Sequence, residues 1–542
     1  MPDHLIKDSA DGPGNKLLAF FKPVPALAKL FAVALGALNR STLKGRLAAI
    51  AWGLLRRFWP LALLGFALAV TPLLALPLNG ATLPAWAALA LLGAFTALVF
   101  VTVRAVYVLL PNLVANGFGF CSGMNQPGDA DPAEALTPWL ASYLDRLSGQ
   151  PGERPLTFGD LWDKDITLQM MTTCLTLGRP FRLPLRDEEE ARENKQFYWR
   201  RDDFLKLFPQ HIVDWMEQHQ RPAGRRDVPG FLRLPEPRDL PVVVAVRMSL
   251  SFPVLLSAVP LHAVRYRDDM PADAAPEICW FTDGGVGSNF PIHFFDAPLP
   301  GRPTFGLDLG HAEHKDVKRV VFPRNNSEAR LSDWKRFSGD AGGVLVQFLS
   351  TLLGVAKDWN HDTLSRMPGF RDRIGLIRLT SEEGGLNLSM PKERIEALTA
   401  FGREAGLEFV RRFGDPQRSP LPPHPMNWEN HQSIRLRILL ASMTELLERL
   451  EKTRGALDAT NEAYERFFSP EPVGRQRSYP FTGLGRYDEE HPATQAALAQ
   501  EFLARLSAIA RWLAAAVAAN RGMDPRDGAP KPPPELKPRP RI

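Results

Sequence analysis

The chain reads as an α/β layered protein with a mostly parallel central sheet, an inserted transmembrane helical hairpin and an α-helical C-terminal region. Three observations predict this. Two long uncharged apolar runs stand before Arg104, short β-type runs alternate with helical stretches through the middle, and apolar residues recur at helical spacing near the end.

The hairpin comes first. Residues 59–78 carry no charge across 20 positions and residues 83–103 none across 21. Each run is long enough to cross a hydrocarbon core of roughly 30 Å as a helix. Only Asn79-Gly80-Ala81-Thr82 separates them. Lys44, Arg46, Arg56 and Arg57 precede the pair, Arg104 follows it, and the turn is uncharged. The positive-inside tendency then puts both flanks in the cytoplasm, as expected for a two-pass protein of the inner (cytoplasmic) membrane. Pro60, Pro72, Pro77 and Pro84 keep a second reading open, a buried apolar helix pair within a soluble domain.

Two other apolar stretches read differently. Residues 17–38 are interrupted by Lys22, Pro23, Pro25 and Lys29, start too late for a signal peptide and suit an amphipathic surface helix. Within residues 241–261, Arg247 would cost roughly 2.5–3.5 kcal/mol at mid-bilayer, so this stretch reads as soluble core.

Composition narrows the function classes. The chain has 542 residues, is 45% hydrophobic and 23% charged, and has a net charge of +5. It is neither disordered nor mostly membrane, and it lacks the Lys/Arg run of a nucleic-acid patch, so no nucleic acid is expected as a partner. The mild positive charge suits membrane lipids as the partner. Cys121, Cys174 and Cys279 are far apart and odd in number, which gives neither a disulfide framework nor metal-ligand spacing.

The organisation along the chain follows. Residues 131–155 hold an amphipathic helix (Leu136, Leu140, Tyr143, Leu144, Leu147) closed by Gly149 and Pro151. Residues 166–175 read as a strand followed by a Gly178-Arg179-Pro180 turn. The Val-rich run 241–246 reads as a strand buried on both faces, and residues 279–282 and 306–309 as further short strands. Ile434, Leu436, Leu439, Leu440, Met443, Leu446, Leu447 and Leu450 form one helical stripe. Leu498, Phe502, Leu506, Ile509, Leu513 and Val517 form another, and both read as core-facing. The expected division is an N-terminal amphipathic and basic segment (1–57), the transmembrane hairpin (58–110), an α/β core (111–415), a helical region (416–527) and a disordered Pro-rich basic tail (528–542).

Asp283 is the candidate catalytic residue. It ends an apolar strand, where ligands collect in open α/β sheets, and Gly284 and Gly285 after it let the backbone turn sharply. A carboxylate there can orient a hydroxyl and accept its proton, as nucleophilic acyl transfer requires. Alone, Asp-Gly-Gly also reads as an ordinary turn. In context, residues 244–253 (Val-Ala-Val-Arg-Met-Ser-Leu-Ser-Phe-Pro) precede Asp283-Gly284-Gly285, with Asn289 and Pro291 close behind. Upstream stand Gly119-Phe120-Cys121-Ser122-Gly123, Leu136-Thr137-Pro138-Trp139-Leu140, Leu156-Thr157-Phe158-Gly159-Asp160-Leu161 and residues 166–180. In this order the segments resemble the patatin-like phospholipase family, over about residues 115–310.

The resemblance implies lipid acyl-ester hydrolysis by a Ser-Asp dyad without cofactor, in which Asp283 activates a serine and backbone N–H groups hold the oxyanion. It makes Arg247 and Asn289 candidates for ordering the site's loops. The family's Gly-Gly-Gly oxyanion loop and Gly-x-Ser-x-Gly elbow precede the hairpin position, and residues 1–118 contain neither. The serine half is thus expected to be absent from this chain, through a start codon placed too late or through degeneration. The alternative is a catalytically dead membrane-anchored scaffold or lipid-binding pseudoenzyme. Cys121, in a Gly-x-Cys-x-Gly pattern, is the one substitute nucleophile on offer, although the motif order assigns it to a later loop as a turn cysteine. His311-Ala312-Glu313-His314 lacks a third ligand and reads as a surface turn, so no metal site is expected.

Overall fold

The computed structural model of the chain describes residues 16–38, 43–74, 83–128, 134–150, 154–185, 196–222, 228–264, 275–287, 290–312, 317–326, 344, 348, 351–352, 367–380, 383–384, 390–414, 424–459, 492–519 and 524–527. The protein is mixed α/β. Its principal helices are α1 (Ala28–Leu38), α2 (Leu43–Arg57), α3 (Trp59–Leu74), α4 (Leu83–Ala115), α5 (Leu136–Leu147), α6 (Val242–Ser249), α7 (Lys392–Phe413), α8 (Trp428–Ala459) and α9 (Pro492–Ala519). The strands are β1 (Gly119–Cys121), β2 (Met170–Cys174), β3 (Arg179–Leu183), β4 (Phe197–Trp199), β5 (Leu232–Arg233), β6 (Val254–Leu256), β7 (Val259–Ala263), β8 (Glu277–Asp283), β9 (Gly306–His311), β10 (Val320–Val321) and β11 (Ile374–Leu379).

The largest sheet has the order β3-β2-β8-β7-β4-β5 and is antiparallel at every described pairing. Parallel pairing occurs in β1–β6 and β9–β11. The expected mostly parallel central sheet is therefore corrected. The run 241–246, read as a buried parallel strand, is the start of helix α6, entered through Pro241. Val242, Val243, Val244 and Ala245 are all buried. A segment enclosed on every side shows no period, and packing overrides the β-preference of three consecutive valines.

The hairpin forms as two packed antiparallel helices. Gly65 of α3 faces Ala97 and Phe100 of α4, and Gly93 of α4 faces Phe66 and Val70 of α3. Small residues let the two backbones approach, the usual basis of helix association in lipid. Residues 75–82, the expected turn and the end of the first run, lie outside the described residues. Among the described residues two stretches are long and apolar enough to cross a membrane, Ala87–Ala115 within α4 and Ala497–Ala519 within α9. Helices α2 and α3 meet the same test together, with a bend of 93° between them.

Helix α4 extends well past the expected end of its run. Its 33 residues make about 50 Å at 1.5 Å per residue. Val101 and Ala105 are buried in the main core together with Phe31 and Leu54. The segment read as a surface helix, residues 17–38, also packs into this core. Phe20 lies 4.6 Å from Trp139 and Phe31 5.7 Å from Phe120, ring centre to ring centre. Its interrupting prolines let it bend onto the body: Pro23 bridges Cys121, and the Val24 N–H donates to the Phe120 carbonyl.

The C-terminal stripes divide. On α8, Ile434 and Leu447 are buried while Leu436, Leu440, Met443 and Leu446 are exposed. On α9 the expected core-facing stripe is corrected: Leu498 is 66% and Phe502 63% exposed, and it is Ser507 and Ala510 that are buried. An Arg511–Glu451 ion pair joins α8 and α9, and of the stripe Leu498, Phe502 and Ile509 turn outward while Leu506, Leu513 and Val517 are half-buried.

Substituting Gly93 by Leu drives a side chain into the Phe66 ring, which already lies 2.6 Å from where a Cβ would stand. Overpacking of this kind costs about 1–3 kcal/mol. Thermal unfolding in detergent micelles is expected to show the loss for Gly93→Leu and not for Leu91→Ala, whose side chain is exposed.

Candidate functional site

The candidate site is assembled where α6 ends, beside β1 and β8. Helix α6 is short and mostly enclosed, with only Val246 and Ser249 partly exposed, and it delivers Arg247 into the interior with no exposed surface. One guanidinium nitrogen, Nη1, donates to Ser251 Oγ at 2.5 Å. The other, Nη2, donates to the carbonyl oxygens of Ser122 and Ser257, each at 3.0 Å. The cation thus joins the turn after β1, the turn after α6 and the β6–β7 connection. Burial lowers the Arg247 pKa to about 10, which leaves it charged at neutral pH. Two carbonyls and the Ser251 hydroxyl replace part of its lost hydration, while its buried Nε has no hydrogen-bond partner among the described residues.

The two motif segments meet. The Asp283 N–H donates to the Ser251 carbonyl at 3.0 Å, and Thr282 Oγ1 donates to the same oxygen at 2.7 Å. Thr172 on the neighbouring strand β2 donates to the Thr282 carbonyl at 2.7 Å. Asp283 is half-buried at the end of β8, and its carboxylate accepts a hydrogen bond from the Gly285 N–H at 2.5 Å. This is an acid that caps a tight turn.

The glycines have separate reasons. A Cβ on Gly284 would stand 2.1 Å from the Met171 carbonyl oxygen, so only glycine passes β2 there. Gly285 supplies the amide that Asp283 caps. Asn289 lies outside the described residues, as does Ser288 before it. Val254, the first residue of β6, has φ 69°, a left-handed conformation that is unusual for a β-branched residue. It pairs with Gly119, where a Cβ would fall 2.2 Å from the Ser257 nitrogen. Close approach of β1 and β6 therefore depends on Gly119.

Cys121 is placed on β1 rather than in a turn, fully buried beside Arg247. Burial pushes its thiol up to about 12, an effect only partly offset by the Arg247 charge. A thiol that stays protonated cannot act as a nucleophile. Nearby hydroxyls are engaged: Ser251 Oγ donates to the Arg247 carbonyl at 2.7 Å, and Ser122 Oγ accepts from the Met124 N–H and from Gln126 Nε2.

Sequence reasoning missed two features. Cys174 and Cys279 come together from adjacent strands, and a hydrogen bond from the Cys279 thiol draws the Cys174 thiol below its ordinary range. The pairing of β2 with β8 brings them close, which chain spacing alone could not reveal. A second buried polar cluster lies far along the chain. Asp372 accepts from His431 at 2.5 Å, and Asp296 binds both Arg373 and Arg435. Among the described residues no group of three or more His, Cys, Asp and Glu is placed to hold a metal ion.

No family model matches the chain, and no solved structure does. The chain is 34% identical over 399 residues to "RpoH suppressor" of Rhizobium meliloti (strain 1021). That match takes in 64% of this chain and 59% of the relative, so the chain spans about three fifths of the relative's length.

Replacing Arg247 by Met keeps the volume and leaves the Ser122 and Ser257 carbonyls and the Ser251 hydroxyl without their cation. Each buried oxygen left without a donor costs about 1–3 kcal/mol. Chemical denaturation is expected to show a loss of that size, with Arg247→Lys intermediate because an ammonium lacks the planar fork. In a second test, the native protein at pH 8 is expected to leave Cys121 unmodified by iodoacetamide, with alkylation appearing only on unfolding; rapid labelling of the folded chain would contradict the protonated, enclosed thiol.

Proposed function

We propose that the protein is a membrane-anchored member of the patatin-like acyl-hydrolase class. Its acid, Asp283, is built into this chain, and the serine that such an acid would activate is not. The observation that carries this reading is the pair of hydrogen bonds from Asp283 N–H and Thr282 Oγ1 to the Ser251 carbonyl. They join Ser251 of the 244–253 segment to Thr282 and Asp283 at the end of β8, which supports this reading. The two long apolar stretches support membrane attachment. An inner-membrane location with the bulk of the chain cytoplasmic follows from the positive-inside tendency. The substrate class is the glycerolipid of the bilayer itself, held at high local concentration by the anchor.

A second reading has its own support. The Cys121 thiol is protonated, and the hydroxyls of Ser122 and Ser251 are engaged in structural hydrogen bonds. On this reading the chain acts as a membrane-anchored scaffold or lipid-binding protein without turnover. Both readings agree that this polypeptide by itself turns over little or no ester.

The deciding experiment is phospholipid-ester hydrolysis by the purified chain in mixed micelles, with Asp283→Ala measured beside it and a fluorophosphonate probe for an active serine. Turnover at the background level, equal in the two proteins and with no labelled serine, is expected for the chain alone. Turnover that Asp283→Ala abolishes would instead establish a complete hydrolase with a nucleophile other than Cys121, Ser122 and Ser251. Turnover that survives Asp283→Ala would remove Asp283 from the chemistry altogether.

A further inference from the structure

We propose that α2 is an in-plane membrane-surface helix that binds anionic phospholipid headgroups; the proposal rests on the reading of α3–α4 as a membrane-inserted hairpin. Helix α2 turns by 93° into α3 at Phe58. If α3 enters the bilayer near its normal, α2 runs along the surface for about 22 Å, at 1.5 Å per residue. The 15 residues of α2 include no acid.

The helix presents two different sides. Leu54 is buried, and Gly53 sits against Val33 of α1, where a Cβ would meet the valine methyls at 3.1 Å. Trp52 points to nearly the opposite side, since residues two apart on a helix diverge by about 160°, and it is 68% exposed. Arg56 lies one turn further along the same ridge. Trp59, exposed at the bend, stands where the chain would enter lipid. Tryptophan is favoured at that depth because its ring is apolar and its N–H remains wet.

The charge pattern selects the kind of lipid. Among the described residues no acid pairs with Lys44, Arg56 or Arg57, and all three are exposed. The pattern is wider than one helix. Between Asp11 and Asp129 the chain contains no Asp or Glu at all, but nine Lys and Arg residues. The remainder of the chain holds more acids than bases, so its small net charge hides a strongly one-sided N-terminal region. Each basic residue close to an anionic leaflet favours binding by about fivefold. An acid-free, Trp-bearing helix at right angles to a membrane entry fits an anionic bilayer surface better than a protein partner, which would need an acidic face of matching shape.

The test uses the full chain reconstituted into vesicles of phosphatidylcholine, with or without phosphatidylglycerol. All three native cysteines are buried, so a single introduced thiol can be labelled selectively. An environment-sensitive fluorophore is placed at Trp52→Cys, at Leu92→Cys in the hairpin, and at Asp202→Cys on the exposed surface of the α/β body. In phosphatidylglycerol vesicles the label at 52 is expected to be quenched by lipid carrying a nitroxide near the headgroup and shielded from aqueous iodide. The label at 92 is expected to be quenched from acyl-chain depth and the label at 202 by iodide alone. Shielding at 52 should fall in pure phosphatidylcholine and in the triple variant Lys44→Glu/Arg56→Glu/Arg57→Glu. Iodide reaching 52 as freely as 202, while 92 is quenched from within the bilayer, overturns the inference and leaves the hairpin standing. Equal shielding with and without phosphatidylglycerol overturns the choice of an anionic surface. Iodide access at 92 removes the hairpin, and this inference with it.

Discussion

The buried guanidinium of Arg247 is the constraint on which the rest of the site depends. A cation removed from water is costly unless its donors are satisfied, and this one is solvated by protein carbonyls from segments 10 and 125 residues away in sequence. The three-residue strands β1 and β6 are too short to hold each other in place unaided, and Arg247 fastens the turns that flank them. Ser251, clasped between the guanidinium and the backbone of its own helix, then offers its carbonyl to Asp283 and Thr282. The position of the candidate acid is therefore inherited, through Ser251, from a charge buried 36 residues earlier in the chain.

The same arrangement limits what the site can do. Gly284 allows the chain to slide beneath the Met171 carbonyl, and the Asp283 carboxylate folds back to cap the turn that follows. An acid held this way is well oriented, which suits proton abstraction from a neighbouring hydroxyl. The hydroxyls of Ser122, Ser251 and Thr282 are bonded elsewhere, and Cys121 beside Arg247 is kept protonated by burial. The turn that holds the candidate acid is therefore more complete than the set of free nucleophiles around it.

Much of this was legible in the sequence, for reasons that differ from element to element. The uncharged runs before Arg104 announced a helical hairpin because sustained apolarity leaves few alternatives. Strand β8 and its acidic end were visible as an apolar run closed by two glycines. Helix α6 was not, since a segment buried on every side has no polar face to reveal its period. The antiparallel order of the main sheet was hidden as well, because local patterning does not record which strands become neighbours. The outward-facing residues of α9 misled for a further reason: helical spacing identifies a stripe but not what it faces. Arg247 was singled out by its improbable place in an apolar run, whereas its partners, all carbonyls and serines, carry no signal of their own.

The junction between α4 and β1 has its own mechanical meaning. The helix ends at Ala115 and the strand begins at Gly119, and of the residues between them Gly117 and Phe118 are locked in the left-handed region at φ 59° and 63°. Phe118 is further braced edge-on against Trp280 of β8. There is no slack here to absorb movement. Rotation or piston displacement of α4 would be passed directly to the Cys121 carbonyl, which receives the Ser257 N–H and hydroxyl, and from Ser257 to Arg247. A continuous run of backbone and hydrogen bonds therefore leads from the end of the helix through Cys121 and Ser257 to Arg247.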